Sequence, residues 1–111
     1  MAKGWIGVDL DGTLARYTTW NGFADIGEPI PKMANRVKQW LNDGKTVKIF
    51  TARVSSKHNN KDAETARKAI SEWTRKHFGK SLEATSEKDS FIDEIWDDKA
   101  FGVIKNTGEL K

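Results

Sequence analysis

The chain has 111 residues and a formal net charge of +3, a size that predicts a single domain spanning 1–111. It contains no cysteine, which excludes disulfides, thiolate metal sites and cysteine nucleophiles. We expect a cytoplasmic protein without membrane contact, because no apolar run suits a signal peptide or a membrane span. Basic and acidic residues are interleaved, so the positive charge indicates a mild bias towards anionic partners and not a nucleic-acid-binding stripe.

The first half of the chain predicts a strand, a long connection, a helix and a second strand. The strand covers residues 5–10, a short and mainly apolar segment that is followed by a glycine turn. The connection, residues 12–30, is rich in Gly, Thr, Asn and Pro. Pro31 is suited to the first turn of a helix that Gly44 ends, and residues 46–50 form the second strand.

The second half continues the alternation of helix and strand. A helix is predicted from Asp62, as its N-cap, to Phe78, with Gly79 ending it. Shorter strands are predicted at 82–85, at 92–96 and, as a fifth edge strand, at 101–105. Alternating strands and helices indicate an α/β fold, with a mostly parallel sheet and helices packed on its faces.

Two aspartates, Asp9 and Asp11, lie at the end of the first predicted strand. Alternation along an extended chain points both carboxylates the same way. Their mutual repulsion favours a cation or a reacting group between them, and Gly12 lets the backbone approach a ligand. A calcium loop of the EF-hand type does not fit, since its twelfth position would be Trp20 instead of Glu.

Other polar residues also lie at predicted strand ends. Thr51 follows the second strand, and Asp97 and Asp98 follow the strand at 92–96. In parallel sheets ligands bind at the carboxyl ends of the strands, so these side chains are expected to meet Asp9. Carboxylate oxygens favour Mg²⁺, whereas neither histidine of the chain follows a predicted strand, which disfavours zinc.

These segments resemble the motifs of the haloacid dehalogenase superfamily of phosphatases, in the order in which that family carries them, over nearly the whole chain. The matched residues are Asp9, Asp11 and Thr13, then Thr51, then Lys88, then Asp97 and Asp98. Small hydrolases of phage and bacterial genomes and the phosphatase domains of polynucleotide kinases are the most similar members. The resemblance implies a Rossmann-like three-layer α/β/α sandwich, with a central sheet of about four or five strands.

The resemblance also implies a magnesium-dependent mechanism. Asp9 would attack phosphorus to form an aspartyl-phosphate, and Asp11 would act as general acid and base. The Mg²⁺ ligands would be Asp9, the carbonyl of Asp11, and Asp97, with Asp98 binding directly or through water. The phosphoryl group would be bound by Thr51, by backbone N–H groups beside it at Ala52, and by Lys88, with Lys80, Lys99 and Lys105 as competing lysines.

The connection at 12–30 is too short for the cap domain that many members of this family carry, so a capless enzyme is expected. We interpret the connection as a flap that contacts the leaving group, with Trp20 stacking on a nucleobase. Its aromatic residues could instead fold back as a satellite core. Further candidate substrate contacts are Thr13, Arg16 and Arg53, and Arg53 has the alternative of an ion pair with Asp98 or Glu94.

Three functions remain open from the sequence. The favoured one is a phosphomonoesterase acting on a nucleotide or another small phosphate ester. The second is a polynucleotide 3′-phosphatase acting on nucleic-acid ends, which the pI of about 9.2 and an open site favour modestly. The third is a non-catalytic phosphate- or metal-binding module. The oligomeric state is left open.

Overall fold

A computed structural model describes residues 4–111, and it confirms the predicted α/β fold with a parallel sheet. The four strands are all parallel, in the order β3-β2-β1-β4. The elements are β1 (Trp5–Val8), α1 (Pro31–Asn42), β2 (Thr46–Phe50), α2 (Asn60–Phe78), β3 (Ala84–Thr85) and β4 (Ile92–Trp96), with a 3-10 turn at Ala52–Val54.

One face of the sheet carries the hydrophobic core. The side chains on this face include Ile6 and Val8 of β1 and Val47 and Ile49 of β2, all buried in one cluster with apolar residues of both helices. The chain passes from β1 to β2 to β3 in one direction across the sheet. Because such crossovers are right-handed, α1 and α2 lie on the same face.

The opposite face has no helix among the described residues. Trp5 fills it: the ring lies 6.4 Å from that of Phe50, and the Lys48 ammonium lies 4.7 Å from the ring centroid. The connection at 86–91 crosses this face, and Asp89 accepts a 2.8 Å hydrogen bond from the Trp5 indole, which lowers the pKa of Asp89. The expected three-layer sandwich is therefore not confirmed.

Both helices begin and end near the predicted residues. Pro31 is the first residue of α1, and Gly79 ends α2 in a left-handed conformation at φ 81°. The predicted N-cap Asp62 is wrong, because Asn59 caps α2 by accepting a 2.8 Å hydrogen bond from the Asp62 N–H. Neither of the helices in residues 4–111 is long and apolar enough to cross a membrane.

Two strands are shorter than predicted. β1 ends at Val8, and the following residues turn into the site. β3 is limited to Ala84–Thr85, because Leu82 packs towards α2 and its N–H donates to the Thr74 hydroxyl at 3.0 Å instead of extending the sheet.

The predicted fifth strand at 101–105 is wrong. This segment folds back on itself: Val103 forms an isolated antiparallel bridge with Leu110, and the turn between them contains Asn106 and Gly108 at positive φ. Phe101 is 83% exposed. The polar turn favours this local hairpin over pairing with the edge of the sheet.

Four of the five tryptophans pack into the fold, although only Trp5 is fully buried. Trp40, Trp73 and Trp96 are half-buried and pack against the core cluster. Trp20 differs from them, since it is 46% exposed and lies in the connection between β1 and α1. Packing in the core therefore does not explain why a tryptophan is present at position 20.

Candidate active site

The carboxyl ends of the parallel strands open into one cleft of about 660 Å³. Asp9 follows β1, Thr51 follows β2 and Asp97 follows β4, and all three line this cleft. The sequence prediction that they lie together is confirmed. The other residues that line the cleft are Asp11, Trp20, Phe23, Phe50, Ala52, Arg53, Ser55, His58, Ser86 and Lys99.

An acidic cluster lies at one side of the cleft. Asp9, Asp97 and Asp98 each place a carboxylate oxygen within 4.8 Å of the others. Oxygen donors in such a group are the ligands that Mg²⁺ and Ca²⁺ prefer. The Asp11 carboxylate is not part of this cluster, and the resemblance assigned only its backbone carbonyl to the metal.

The cluster changes the acidity of its members. Burial raises the pKa of Asp9 to about 7, with further increases from the charge of Asp97 and from a hydrogen bond and the charge of Asp98. Burial also opposes ionisation of Asp98, but hydrogen bonds from Thr13 and Asp9 outweigh it, so the pKa of Asp98 is lowered. A bound cation would offset the repulsion between the carboxylates of Asp9, Asp97 and Asp98, which is a physical reason to expect a cation here.

Thr13 links two of the predicted motifs. Its hydroxyl lies 3.3 Å from Asp9 Oδ2 and 3.0 Å from Asp98 Oδ1, and it accepts a 2.9 Å hydrogen bond from the Asp98 N–H. The single hydroxyl proton is donated to one carboxylate at a time. Thr13 was a candidate substrate contact, but it lies outside the cleft lining and instead orients the acids.

Gly12 allows the two motifs to come this close. Its φ is +88°, and a Cβ at this position would lie 2.9 Å from Asp98 Oδ2. Both the backbone conformation and the contact favour glycine. The turn after β1 is thus shaped to bring Asp98 against Asp9.

Arg53 is paired with Asp11. Its Nε and Nη2 donate to the two carboxylate oxygens of Asp11, each at 2.8 Å, and the Arg53 side chain is only 5% exposed. The ion pair predicted as an alternative, with Asp98 or Glu94, is wrong. A bidentate pair of this kind fixes both partners geometrically.

The structure brings part of the predicted phosphate site together. Thr51 and Ala52 line the cleft, and the Thr51 hydroxyl accepts from the Arg53 N–H at 3.2 Å. Within residues 4–111 that hydroxyl makes no donated hydrogen bond, so its proton is available. Lys88 does not line the cleft, whereas its competitor Lys99 does.

The connection between β1 and α1 contributes aromatic residues to the cleft. Trp20 and Phe23 line it. Arg16 does not, and its N–H instead donates to the Glu28 carbonyl at 2.9 Å, near the base of the connection. Phe23 also packs against the core, so the satellite-core alternative holds for this residue, whereas contact of the connection with a leaving group stays a prediction.

Sequence reasoning missed several residues of the cleft. Ser86 comes directly after β3, so its place at a strand end was a usable signal. His58 and Ser55 lie in the connection before α2, and no periodicity or spacing marks them. His58 follows no strand, which disfavours a zinc site, but it packs edge to face against Phe23 in the cleft.

Comparison of the chain with protein-family models, curated proteins and solved structures finds no match.

Proposed function

We propose that the protein is a magnesium-dependent phosphomonoesterase of the haloacid dehalogenase type, without a cap domain. The observation that carries the proposal is the acidic cluster at the carboxyl ends of β1 and β4, beside a hydroxyl at the end of β2 in the same cleft. On this proposal the helices on one face and the connection on the other form a reduced version of the family's Rossmann-like core.

The acidic cluster fits a divalent cation. Asp9, Asp97 and Asp98 would hold Mg²⁺ through carboxylate oxygens that already lie together. When bound, Mg²⁺ would neutralise charge on the phosphoryl oxygens and on the cluster. The raised pKa of Asp9 supports the fit, because burial and then the charges of Asp97 and Asp98 disfavour its ionised form without a counter-charge.

The residues of the chain would carry the chemistry in two steps. The Asp9 carboxylate forms a bond to phosphorus while the bond to the leaving oxygen breaks, and Asp11 protonates that oxygen. Asp11 then takes a proton from water, whose oxygen bonds to phosphorus as the bond to Asp9 breaks. Free phosphate and the Asp9 carboxylate result.

Asp11 cannot perform these steps in the pairing that the structure shows. Both of its oxygens accept hydrogen bonds from Arg53, so it holds no proton in position to donate. The pair has to open before Asp11 acts as an acid. An incoming phosphate group would compete with Asp11 for the guanidinium, which binds either anion bidentately.

Thr51 and Lys99 would position the phosphoryl group. The Thr51 hydroxyl is at the end of β2 with its proton available, and Lys99 lines the same cleft. Phosphoryl transfer depends mainly on positioning and charge neutralisation, which these groups supply. We assign the lysine role to Lys99 in preference to Lys88, because only Lys99 borders the cleft.

Phosphate release from a panel of phosphate esters, with and without Mg²⁺, tests this function. Wild type is compared with Asp9→Asn and with a matched control, Asp93→Asn, which changes an exposed aspartate near the opposite end of the sheet. We expect activity that requires Mg²⁺, disappears in Asp9→Asn and persists in Asp93→Asn. Activity that survives in Asp9→Asn would rule out Asp9 as the nucleophile. Tight Mg²⁺ binding without any release would favour a non-catalytic binding module.

A further inference from the structure

The cleft has a side that phosphoryl chemistry does not use. Trp20, Phe23 and His58 line it and contact one another edge to face, with ring centroids 5.0 Å apart in both the Trp20–Phe23 and the Phe23–His58 pairs. We call these three residues the aromatic wall. Asp9 lines the same cleft, so one ligand can contact both.

Arg53 fixes the aromatic wall in place. Its Nη1 donates to the carbonyls of Gly22 and Phe23 at 3.2 and 3.1 Å, and its guanidinium carbon lies 4.8 Å from the Trp20 ring centroid. Arg53 is itself nearly buried. A wall that is ordered before binding loses little conformational entropy when a ligand arrives.

The chemistry of the wall matches a planar aromatic group. Trp20 keeps 46% of its surface exposed although it is anchored, which leaves ring surface free for contact. Stacking of a nucleobase on such a ring strengthens binding by about 5- to 150-fold. A cleft of about 660 Å³ lies within the usual range for sites that enclose a small molecule.

The charges of the cleft limit the ligand to few phosphate groups. Among the described residues its cations are Lys99 and Arg53, and Arg53 is paired with Asp11 until a phosphate displaces that carboxylate. Asp97 and Asp9 line the same cleft and would repel additional phosphates. A polynucleotide end carries further backbone phosphates, for which the cleft lining formed by residues 4–111 offers no further cation.

We propose that the aromatic wall is the leaving-group subsite of this enzyme and takes the nucleobase of a nucleoside monophosphate. The inference rests on the proposed phosphatase function, since the phosphate of that ligand would lie at Asp9. His58 is a new member of the substrate site, and Trp20 keeps the stacking role that the sequence suggested for it. Arg53 is a positioning residue for both the wall and Asp11.

The test compares catalytic efficiency on a nucleoside 5′-monophosphate with that on ribose 5-phosphate, which lacks the base. We expect Trp20→Ala to lower kcat/KM for the nucleotide at least about tenfold more than for ribose 5-phosphate, with Trp20→Phe retaining most of the efficiency. Tyr17→Ala is the matched control, because Tyr17 is also 46% exposed and lies outside the cleft lining. His58→Ala should show a smaller loss confined to the nucleotide.

Several outcomes would overturn the proposal. Equal efficiency of wild type on the two esters, or an equal loss on both in Trp20→Ala, would show that the wall does not contact a base. Preference for a 3′-phosphorylated oligonucleotide, with efficiency falling steeply as salt is added, would identify a nucleic-acid end as the ligand.

Binding separates this proposal from the phosphatase function. Nucleoside monophosphate is titrated into the wild-type protein in EDTA while the indole resonance of Trp20, assigned with Trp20→Phe, is followed by NMR. A saturable shift, in a protein that releases no phosphate when Mg²⁺ is supplied, would support the aromatic wall as a base-binding site and refute the phosphatase function. Phosphate release from ribose 5-phosphate, with no shift of the Trp20 resonance on nucleotide addition, would support the phosphatase function and refute the aromatic wall as a base-binding site.

Discussion

Replacing Asp9 by Asn should stabilise the metal-free protein at neutral pH. The reason is that burial and the neighbouring charges of Asp97 and Asp98 raise the pKa of Asp9 to about 7 from 3.8, so the ionised group is unfavourable in the folded state. Asn has nearly the same shape, carries no charge, and can accept the hydrogen bond of the Thr13 hydroxyl.

The size of the effect follows from the difference between the folded and unfolded pKa. The change from 3.8 to about 7 corresponds to at most about 4 kcal/mol of unfolding free energy. Asp9 remains partly open to solvent in the cleft, which screens the interaction, so we expect about 1–2 kcal/mol. For a domain of this size that is a rise in Tm of about 5–10 °C.

The raised pKa of Asp9 determines in which direction the stability of the protein changes with pH. Between about pH 4 and pH 7 the folded protein holds a proton on Asp9 that the unfolded chain has released, so wild-type stability falls as pH rises through this range. The advantage of Asp9→Asn should be absent below about pH 4, grow between these values and be complete above pH 7. Asp93→Asn, at an exposed position near the opposite end of the sheet, is measured beside it at each pH as the control for loss of one carboxylate.

Urea unfolding in EDTA, followed by circular dichroism from pH 3.5 to 8, measures this difference. Added Mg²⁺ should then stabilise wild type and not the variant, which reverses or removes the advantage. An Asn variant that is no more stable than wild type at pH 8 would refute the account of the cluster as mutually repelling carboxylates.

Three further predictions follow from the contacts around the cluster. Gly12→Ala should lower stability by about 1–2 kcal/mol because of the positive φ at this position, and it should weaken Mg²⁺ binding about tenfold by displacing Asp98. The control is Gly44→Ala, at φ +80° with nothing within 4 Å. It should lose similar stability but leave the Mg²⁺ affinity, measured by titration calorimetry, unchanged. Arg53→Lys should lose about 1–3 kcal/mol and speed protease cleavage within residues 16–29, since Lys cannot replace the fork; unchanged unfolding and cleavage would show that the pair does not anchor the flap. Thr13→Val should weaken Mg²⁺ binding, whereas Thr13→Ser should restore it, and equal affinities would exclude the hydroxyl as the orienting group.

Residues at strand ends could be predicted because topology alone determines their position. Once Asp9, Thr51 and Asp97 follow parallel strands, they must lie at one edge of the sheet, whatever the strand order. The partner of Arg53 depends on that order, which the sequence does not show. Arg53 follows β2, and β2 neighbours β1 rather than β4, so Asp11 lies within reach while the acids of β4 are one strand, about 4.8 Å, farther away.

The missing helical layer was also signalled in the sequence. A crossover between parallel strands that includes a helix takes a dozen or more residues, and the connection at 86–91 is too short for one. That connection passes from β3 across two strands to β4, so it can only run extended over the face. Trp5 supplies the apolar surface there, and Asp89 fixes the connection to it.

The strand order also divides the site into two halves with different tasks. Asp9 follows β1, which lies between β2 and β4. The acids that would hold the cation come from β4, on one side of Asp9, while Arg53 follows β2, on the other side, and anchors the aromatic wall. A phosphate at Asp9 would therefore have charge neutralisation on its β4 side and a surface for its leaving group on its β2 side. Because Arg53 contacts both Asp11 and the wall, a phosphate that displaced Asp11 from the guanidinium would free the acid for the leaving oxygen, while Arg53 Nη1 could still hold the carbonyls that order the wall.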